Sequence, residues 1–109
     1  MVEDQNTNDN PVEDKKITKL GFRNRFTLEE KVAIEMASLD DTSADMSERI
    51  KSATVRAYLQ DIASASFIDL SRSDTRGGVI ALETMGIIAV GRALEILDTP
   101  VHEIEKYRG

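Results

Sequence analysis

Between residues 26 and 98, apolar residues recur every three or four positions, which is the spacing of amphipathic helices. Thr27 and Glu30 stand three residues apart, the pattern of a capping box in which each side chain bonds the other residue's amide. We therefore predict a first helix from Leu28 to Ser38. The apolar residues that recur along it are Leu28, Val32, Met36 and Leu39.

The second predicted helix is the longest, and it has apolar residues on two sides. It follows the polar turn Asp40–Ser43, is capped by Ser43 or Asp45, and runs from Ala44 or Met46 to Ala63. One stripe consists of Met46, Ile50, Ala53 and Ala57; the stripe on nearly the opposite side consists of Val55, Leu59 and Ile62, with Tyr58 between the two. Such a helix is either central in a bundle or shares one side with another chain.

Two shorter helices are predicted in the C-terminal half. The third runs from Thr75 to Met85 after a cap at Ser73 or Asp74, and Gly86 suits the left-handed position that ends a helix. The fourth runs from Ile87, or from about Val90, to Leu97. The predicted fold class is therefore all-α, a small bundle of about four helices.

Phe67–Leu70 is a short apolar run that follows the longest helix. Because we find no second strand candidate to pair with it, we interpret it as an extended connector that fills the core with Phe67, Ile68 and Leu70. Residues 101–109 are mostly polar, and we predict one last helical turn anchored by Ile104 and Tyr107.

Charge lies in blocks along this chain of net charge −6. Residues 1–14 carry five acids, no base and few apolar residues, so they cannot offset the entropy of ordering and are predicted to be a disordered tail. The next block, which we call the basic arm, carries five bases and no acid: Lys15, Lys16, Lys19, Arg23 and Arg25. We predict that tail and arm occupy residues 1–20 and that the helical domain occupies residues 21–109.

Three interpretations of the basic arm remain open. Its apolar residues pack on the domain while its bases stay solvated or pair with acids, or it contacts nucleic acid, or it becomes ordered on a protein neighbour. The first is favoured, because five bases in a chain with an isoelectric point near 4.8 are few for a dedicated DNA-binding protein.

Composition excludes several kinds of chemistry. The chain has no cysteine and one histidine, which excludes disulfides, thiolate catalysis and multi-histidine metal centres. Gly77-Gly78 lacks the preceding strand and the Lys-Ser/Thr ending of a phosphate loop. Asp40-Asp41 lies in a polar turn with nothing to raise a carboxyl pKa for acid–base work. We therefore predict that the protein is not an enzyme and uses no cofactor or metal.

Anion binding and membrane insertion are also disfavoured. Arg72, Arg76 and Arg92 are candidates for an anion patch, but Asp69, Asp74 and Glu95 lie close by in sequence, which favours structural ion pairs. No apolar run reaches the roughly 18 residues that a membrane span needs. We expect no membrane partner.

Several short strings resemble a set of small proteins encoded in tailed bacteriophages and prophages. They are Phe22–Thr27, Glu30–Ala33, Ile68–Leu70, Asp74–Val79, Ala81–Glu83 and Gly91–Leu97. The resemblance covers about residues 21–98 and leaves the N-terminal tail outside. It implies a product of the late gene region, near virion and tail genes, and it transfers no catalytic or binding residue.

Two functions follow from these observations. The first is a structural or accessory protein of a phage particle, tail or head–tail associated, which assembles with other phage proteins or with itself. Its candidate contact residues are Val55, Tyr58, Leu59, Ile62, Gly77 and Gly78, and its location is the virion or the host cytoplasm. The alternative is a small regulatory or host-directed binding protein, with weak nucleic-acid contact through the basic arm.

Overall fold

The structure, a computed structural model, describes residues 14–109, which are mostly helical as predicted. The predicted disordered tail therefore lies almost entirely outside the described residues. In chain order the elements are strand β1 (Lys16–Ile17), helix α1 (Lys19–Arg23), helix α2 (Leu28–Ala37), helix α3 (Met46–Ser64), strand β2 (Ile68–Asp69), helix α4 (Ser73–Thr84), helix α5 (Arg92–Asp98) and a 3-10 turn (Glu103–Glu105).

Helices α2 and α3 begin where local sequence signals place them. The Thr27 hydroxyl accepts from the Glu30 amide, and the Glu30 carboxylate accepts from the Thr27 amide, so the predicted capping box is confirmed. Asp45 caps α3 by accepting from the Glu48 amide, which decides between the two predicted caps.

The two C-terminal helices differ from prediction at their starts. Helix α4 begins at Ser73 with Arg72 at the cap position and no side-chain cap, so the predicted cap at Ser73 or Asp74 is wrong. Helix α5 begins at Arg92, later than predicted, because Gly91 adopts φ +91° and interrupts the helical backbone. Gly86, with φ +78°, follows the end of α4 as predicted.

The basic arm supplies the strand that the sequence analysis did not find. β1 pairs antiparallel with β2, with Lys16 opposite Asp69 and Ile17 opposite Ile68. The C-terminal segment covers the other edge of β1, since the Tyr107 amide donates to the Lys16 carbonyl at 3.1 Å. The interpretation of Phe67–Leu70 as an unpaired connector is therefore corrected: two residues of it are a strand.

Ile17 is completely buried in this arrangement, so residues just before 21 belong to the fold. The predicted boundary at residues 20 and 21 falls inside α1. The physical reason is that Ile17 pairs with residues far along the chain. The charges of its neighbours in the sequence do not predict such a pairing.

Every helix and both strands of the described chain contribute to the core. Its buried members are Ile17, Phe22, Phe26, Ile34, Val55, Ile68, Leu70, Val79, Leu82, Ile88, Ala93, Ile96 and Leu97. Phe67 is only half-buried and stacks on Tyr107, with ring centroids 4.9 Å apart. The predicted anchor at Tyr107 thus packs on Phe67, whereas Ile104 is 91% exposed and anchors nothing.

Candidate interaction surface

The two apolar stripes of α3 face different surroundings. Val55 is 1% exposed and lies in the core, while Leu59 and Ile62 pack against the core and Tyr58 is half-buried. The opposite stripe, Met46, Ile50, Ala53 and Ala57, is exposed. The expectation that the Val55 side meets another chain is thus corrected, because that side is occupied by the protein's own core.

The size of the apolar side chains and two hydrogen bonds explain why this face of α3 is the buried one. The buried side carries three large apolar side chains, Val55, Leu59 and Ile62, whereas the exposed stripe carries two large ones beside two alanines, so the bundle gains more by burying the first side. Midway along α3, Arg56 Nη1 donates to the Ser38 carbonyl at 2.9 Å. Near the C-terminal end of α3, the Ala63 carbonyl accepts from Lys19 Nζ at 2.9 Å. These bonds hold the Val55 side inward.

Helix α2 likewise presents an apolar stripe to solvent. Ile34 faces the core and Ala37 packs against it, whereas the stripe singled out in the sequence lies outside. Together with two residues of α3, this stripe forms a set that we call the outer apolar residues: Leu28, Val32, Met36, Leu39, Met46 and Ile50. Each of them is between 53% and 70% exposed. Single exposed apolar residues are ordinary, but two rows of them on adjacent helices are typical of interaction sites.

The turn between α2 and α3 is held by ionic and Asx-type bonds. Arg49 Nε and Nη2 donate to the two carboxylate oxygens of Asp40, each at 2.9 Å. These hydrogen bonds from Arg49 lower the pKa of Asp40. The Ser43 hydroxyl and amide both donate to Asp41, which lowers the pKa of that carboxyl too. The adjacent carboxylates noted in the sequence are thus parts of a turn: Asp40 links the turn to α3 through Arg49, and Asp41 bonds within the turn itself.

The two candidate glycines lie on α4 in different environments. Gly78 lies against the Tyr58 ring, and a Cβ built there would meet ring atoms at 3.6 Å. A Cβ built on Gly77 would meet nothing within 4 Å. Gly78 therefore serves packing within the chain, and Gly77 alone of this pair faces open space.

The basic arm does not form one positive patch. Lys16 extends over the Phe67 ring, with Nζ 5.5 Å from the centroid, and Lys19 bonds the end of α3. Arg23 is exposed. The side chain of Arg25 is only 6% exposed. Lys15 is half-buried. These placements support the interpretation in which the arm packs on the domain.

Arg25 is the most constrained cation of the arm. Its Nε and Nη2 contact the two carboxylate oxygens of Glu105 at 2.8 and 2.9 Å, and Nη1 donates to the Ile96 and Thr99 carbonyls. Burial raises the pKa of Glu105, but the bonds from Arg25 and from the His102 amide outweigh it, so the net pKa is lowered. We found no sequence signal for this pair, because its members lie at opposite ends of the domain.

The candidate anion-binding arginines are engaged by carboxylates. Arg72 pairs with Asp74 at 2.9 Å, and Arg76 pairs with Asp98 at 2.9 Å. Arg92 forks onto Glu30 at 2.7 and 2.8 Å and also bonds Glu95 and the Arg25 carbonyl. The Arg92 hydrogen bond is the main cause that lowers the pKa of Glu30. The expectation of structural pairing is confirmed. Arg72 and Arg92 bind the expected Asp74 and Glu95, Arg92 binds Glu30 in addition, and Arg76 pairs with Asp98, which was not expected.

An open groove of about 1030 Å³ lies between α1, α2, α3 and α4. Its walls are apolar and include Phe22, Ile34, Leu59, Val79 and Leu82. Charged residues of both signs border it, among them Lys19, Arg23, Lys31, Glu35 and Asp61. The groove therefore does not concentrate one sign of charge.

Residues 14–109 offer neither a metal-binding cluster nor a membrane-spanning helix. Over residues 14–109 no group of three or more His, Asp or Glu side chains is placed to hold a metal ion. In the same range no helix is long and apolar enough to cross a membrane.

Comparison with protein-family models, with curated proteins and with solved structures finds no match to this chain.

Proposed function

We propose that this protein is a non-enzymatic structural or accessory protein of a tailed-phage particle, tail or head–tail associated, which acts by assembling with copies of itself or with other phage proteins. One observation carries the proposal: the outer apolar residues of α2 and α3 are more than half exposed. A soluble monomer gains nothing from two such rows, whereas a subunit of an assembly buries them.

The energetic scale supports assembly through these residues. Full burial of a Leu, Ile, Val or Met side chain contributes about 1.5–3 kcal/mol, so burial of the exposed half contributes about 1 kcal/mol or more for each. Six side chains on each of two chains then contribute on the order of 10–20 kcal/mol. That range is comparable to the association cost of about 4–15 kcal/mol, so a stable contact is within reach.

The particle setting rests on the resemblance that short strings within residues 21–98 suggest to small late-region phage proteins. Particles are built from repeated copies, and repeated copies need contact surfaces of their own on each subunit. An outer apolar surface on a small domain fits that use, and it is independent of the basic arm, whose bases are spread around the fold.

Light scattering coupled to size exclusion tests the assembly step. We expect a defined oligomer whose mass stays the same at low and high salt, because burial of apolar surface is not screened by ions. Replacement of Val32 and Ile50 by glutamate should lower the mass, while Lys16→Glu, away from the outer residues, should leave it unchanged. A monomer at both salt concentrations would contradict self-assembly. Recovery of peptides of this chain from purified phage particles tests the setting.

A further inference from the structure

We propose that the α2 stripe docks on the α2 stripe of a second copy, with the two helices antiparallel about a two-fold axis. This inference rests on the proposed function. It names a second copy of the chain as the partner of the exposed stripe on α2. The contact residues are Leu28, Val32 and Met36 on α2, and Leu39 just beyond the helix end.

The spacing of the stripe is the first support. Leu28, Val32 and Met36 are four residues apart, and Leu39 follows three later, so all four lie on one face of the helix. The order is almost mirror-symmetric about residue 34. An antiparallel copy therefore sets Val32 opposite Met36 and Leu28 opposite Leu39. Each residue of the stripe then faces another apolar residue of the stripe.

Charge at one edge of the stripe is the second support. Lys31 and Glu35 are one turn apart on the same side of α2, and both border the groove there. The Lys31 ammonium donates to the neutral amide oxygen of Asn24 at 2.9 Å, and the Glu35 side chain is exposed. A two-fold antiparallel pair brings like edges together, so Lys31 of each copy approaches Glu35 of the other.

Contacts on the inner side of α2 hold the helix in place and leave the stripe accessible. The inner side of the helix is fastened by Ile34 in the core and by Glu30, which binds Arg92. These contacts hold α2 in one orientation on the domain, so the stripe is presented on a rigid helix before it meets a partner. A preorganised surface loses less conformational entropy on association.

Cysteine cross-linking tests the register, because the chain has no cysteine of its own. Leu28→Cys mixed with Leu39→Cys should form a disulfide between the two kinds of chain, since the antiparallel register sets these positions opposite each other. Leu28→Cys alone should not, because its two copies lie about 17 Å apart along the helices. Ile104→Cys, 91% exposed in the C-terminal turn and outside the outer apolar residues, is the control and should form no disulfide. Ile50→Cys reports separately on the exposed stripe of α3.

A charge exchange tests the same contact without cysteine. Lys31→Glu alone and Glu35→Lys alone should each weaken self-association about fivefold, because like charges then meet across the axis. A mixture of the two variants should restore association, as each supplies the charge that the other lacks. Circular dichroism and urea unfolding of each variant confirm that the fold is retained.

The outcomes separate this inference from the proposed function. A Leu28–Leu28 cross-link would overturn the antiparallel register, and an oligomer that cross-links only through Ile50→Cys would place the contact on α3; in both cases assembly itself stands. A chain that remains monomeric by light scattering would overturn the inference and self-assembly together.

Discussion

Arg25 and Glu105, 80 residues apart in the sequence, form a forked ion pair whose atoms approach to 2.8 and 2.9 Å. Their side chains are 6% and 13% exposed. The same guanidinium donates to the Ile96 and Thr99 carbonyls near the end of α5. One side chain of the basic arm therefore joins the N-terminal segment, the last helix and the C-terminal turn.

We predict that Arg25→Ala lowers the free energy of unfolding by about 3 kcal/mol, because it leaves the Glu105 carboxylate buried without its counter-charge. Equilibrium urea unfolding measures this change. Arg23→Ala is the matched control: Arg23 is exposed and only two residues away, so its removal should change stability by less than about 0.5 kcal/mol. Equal effects of the two substitutions would contradict a structural role for the pair.

Stability should fall in acid through Glu105 and Glu30. The folded protein lowers the pKa of both carboxyls, so each binds its proton less readily than in the unfolded chain. Their contribution is complete above the unfolded pKa of about 4.3 and is lost as the pH falls through the lowered values. We expect unfolding midpoints in urea to be level at neutral pH and to drop below about pH 4. In Glu105→Gln the drop should be shallower, and a profile parallel to the wild type would contradict this origin.

Val55→Ala should destabilise the fold by about 2 kcal/mol, because it removes two buried methyl groups and leaves a cavity. Ile50→Ala, on the exposed side of the same helix, should change the stability of the monomer by less than about 0.5 kcal/mol. Urea unfolding at low protein concentration keeps association out of the comparison. If Ile50→Ala proved the more damaging at that concentration, the assignment of the two stripes of α3 would be reversed.

Two glycines should respond to alanine with opposite signs. Gly77 lies within α4 with open space around its Cα, so Gly77→Ala should stabilise the helix by about 0.5–1 kcal/mol. Gly86 has φ +78°, which an L side chain rarely adopts, so Gly86→Ala should destabilise by about 1 kcal/mol.

Thermal unfolding followed by circular dichroism distinguishes the two variants, since 1 kcal/mol shifts the midpoint of a domain of this size by roughly 4–8 °C. A fall in the midpoint for both would contradict the open environment of Gly77. Light scattering on Gly77→Ala also tests the contact role considered for Gly77: a lower mass would place it at a subunit interface.

The sequence could predict features that depend on neighbours within about four residues. The Thr27–Glu30 box, the Asp45 cap and the left-handed Gly86 all appear in the structure, because caps and turns are closed by groups close together along the chain. The two apolar stripes of α3 were visible for the same reason, since helical spacing alone places residues on a face.

The tertiary structure decided which of those faces is the inner one and where the distant partners lie. Periodicity shows that Val55 and Ile50 lie on different sides of α3, but the rest of the bundle selects the side that is buried. The pairing of Ile17 with Ile68 and of Arg25 with Glu105 spans 51 and 80 residues. Such contacts depend on how the whole chain closes on itself, and no local pattern of charge or hydrophobicity encodes that path.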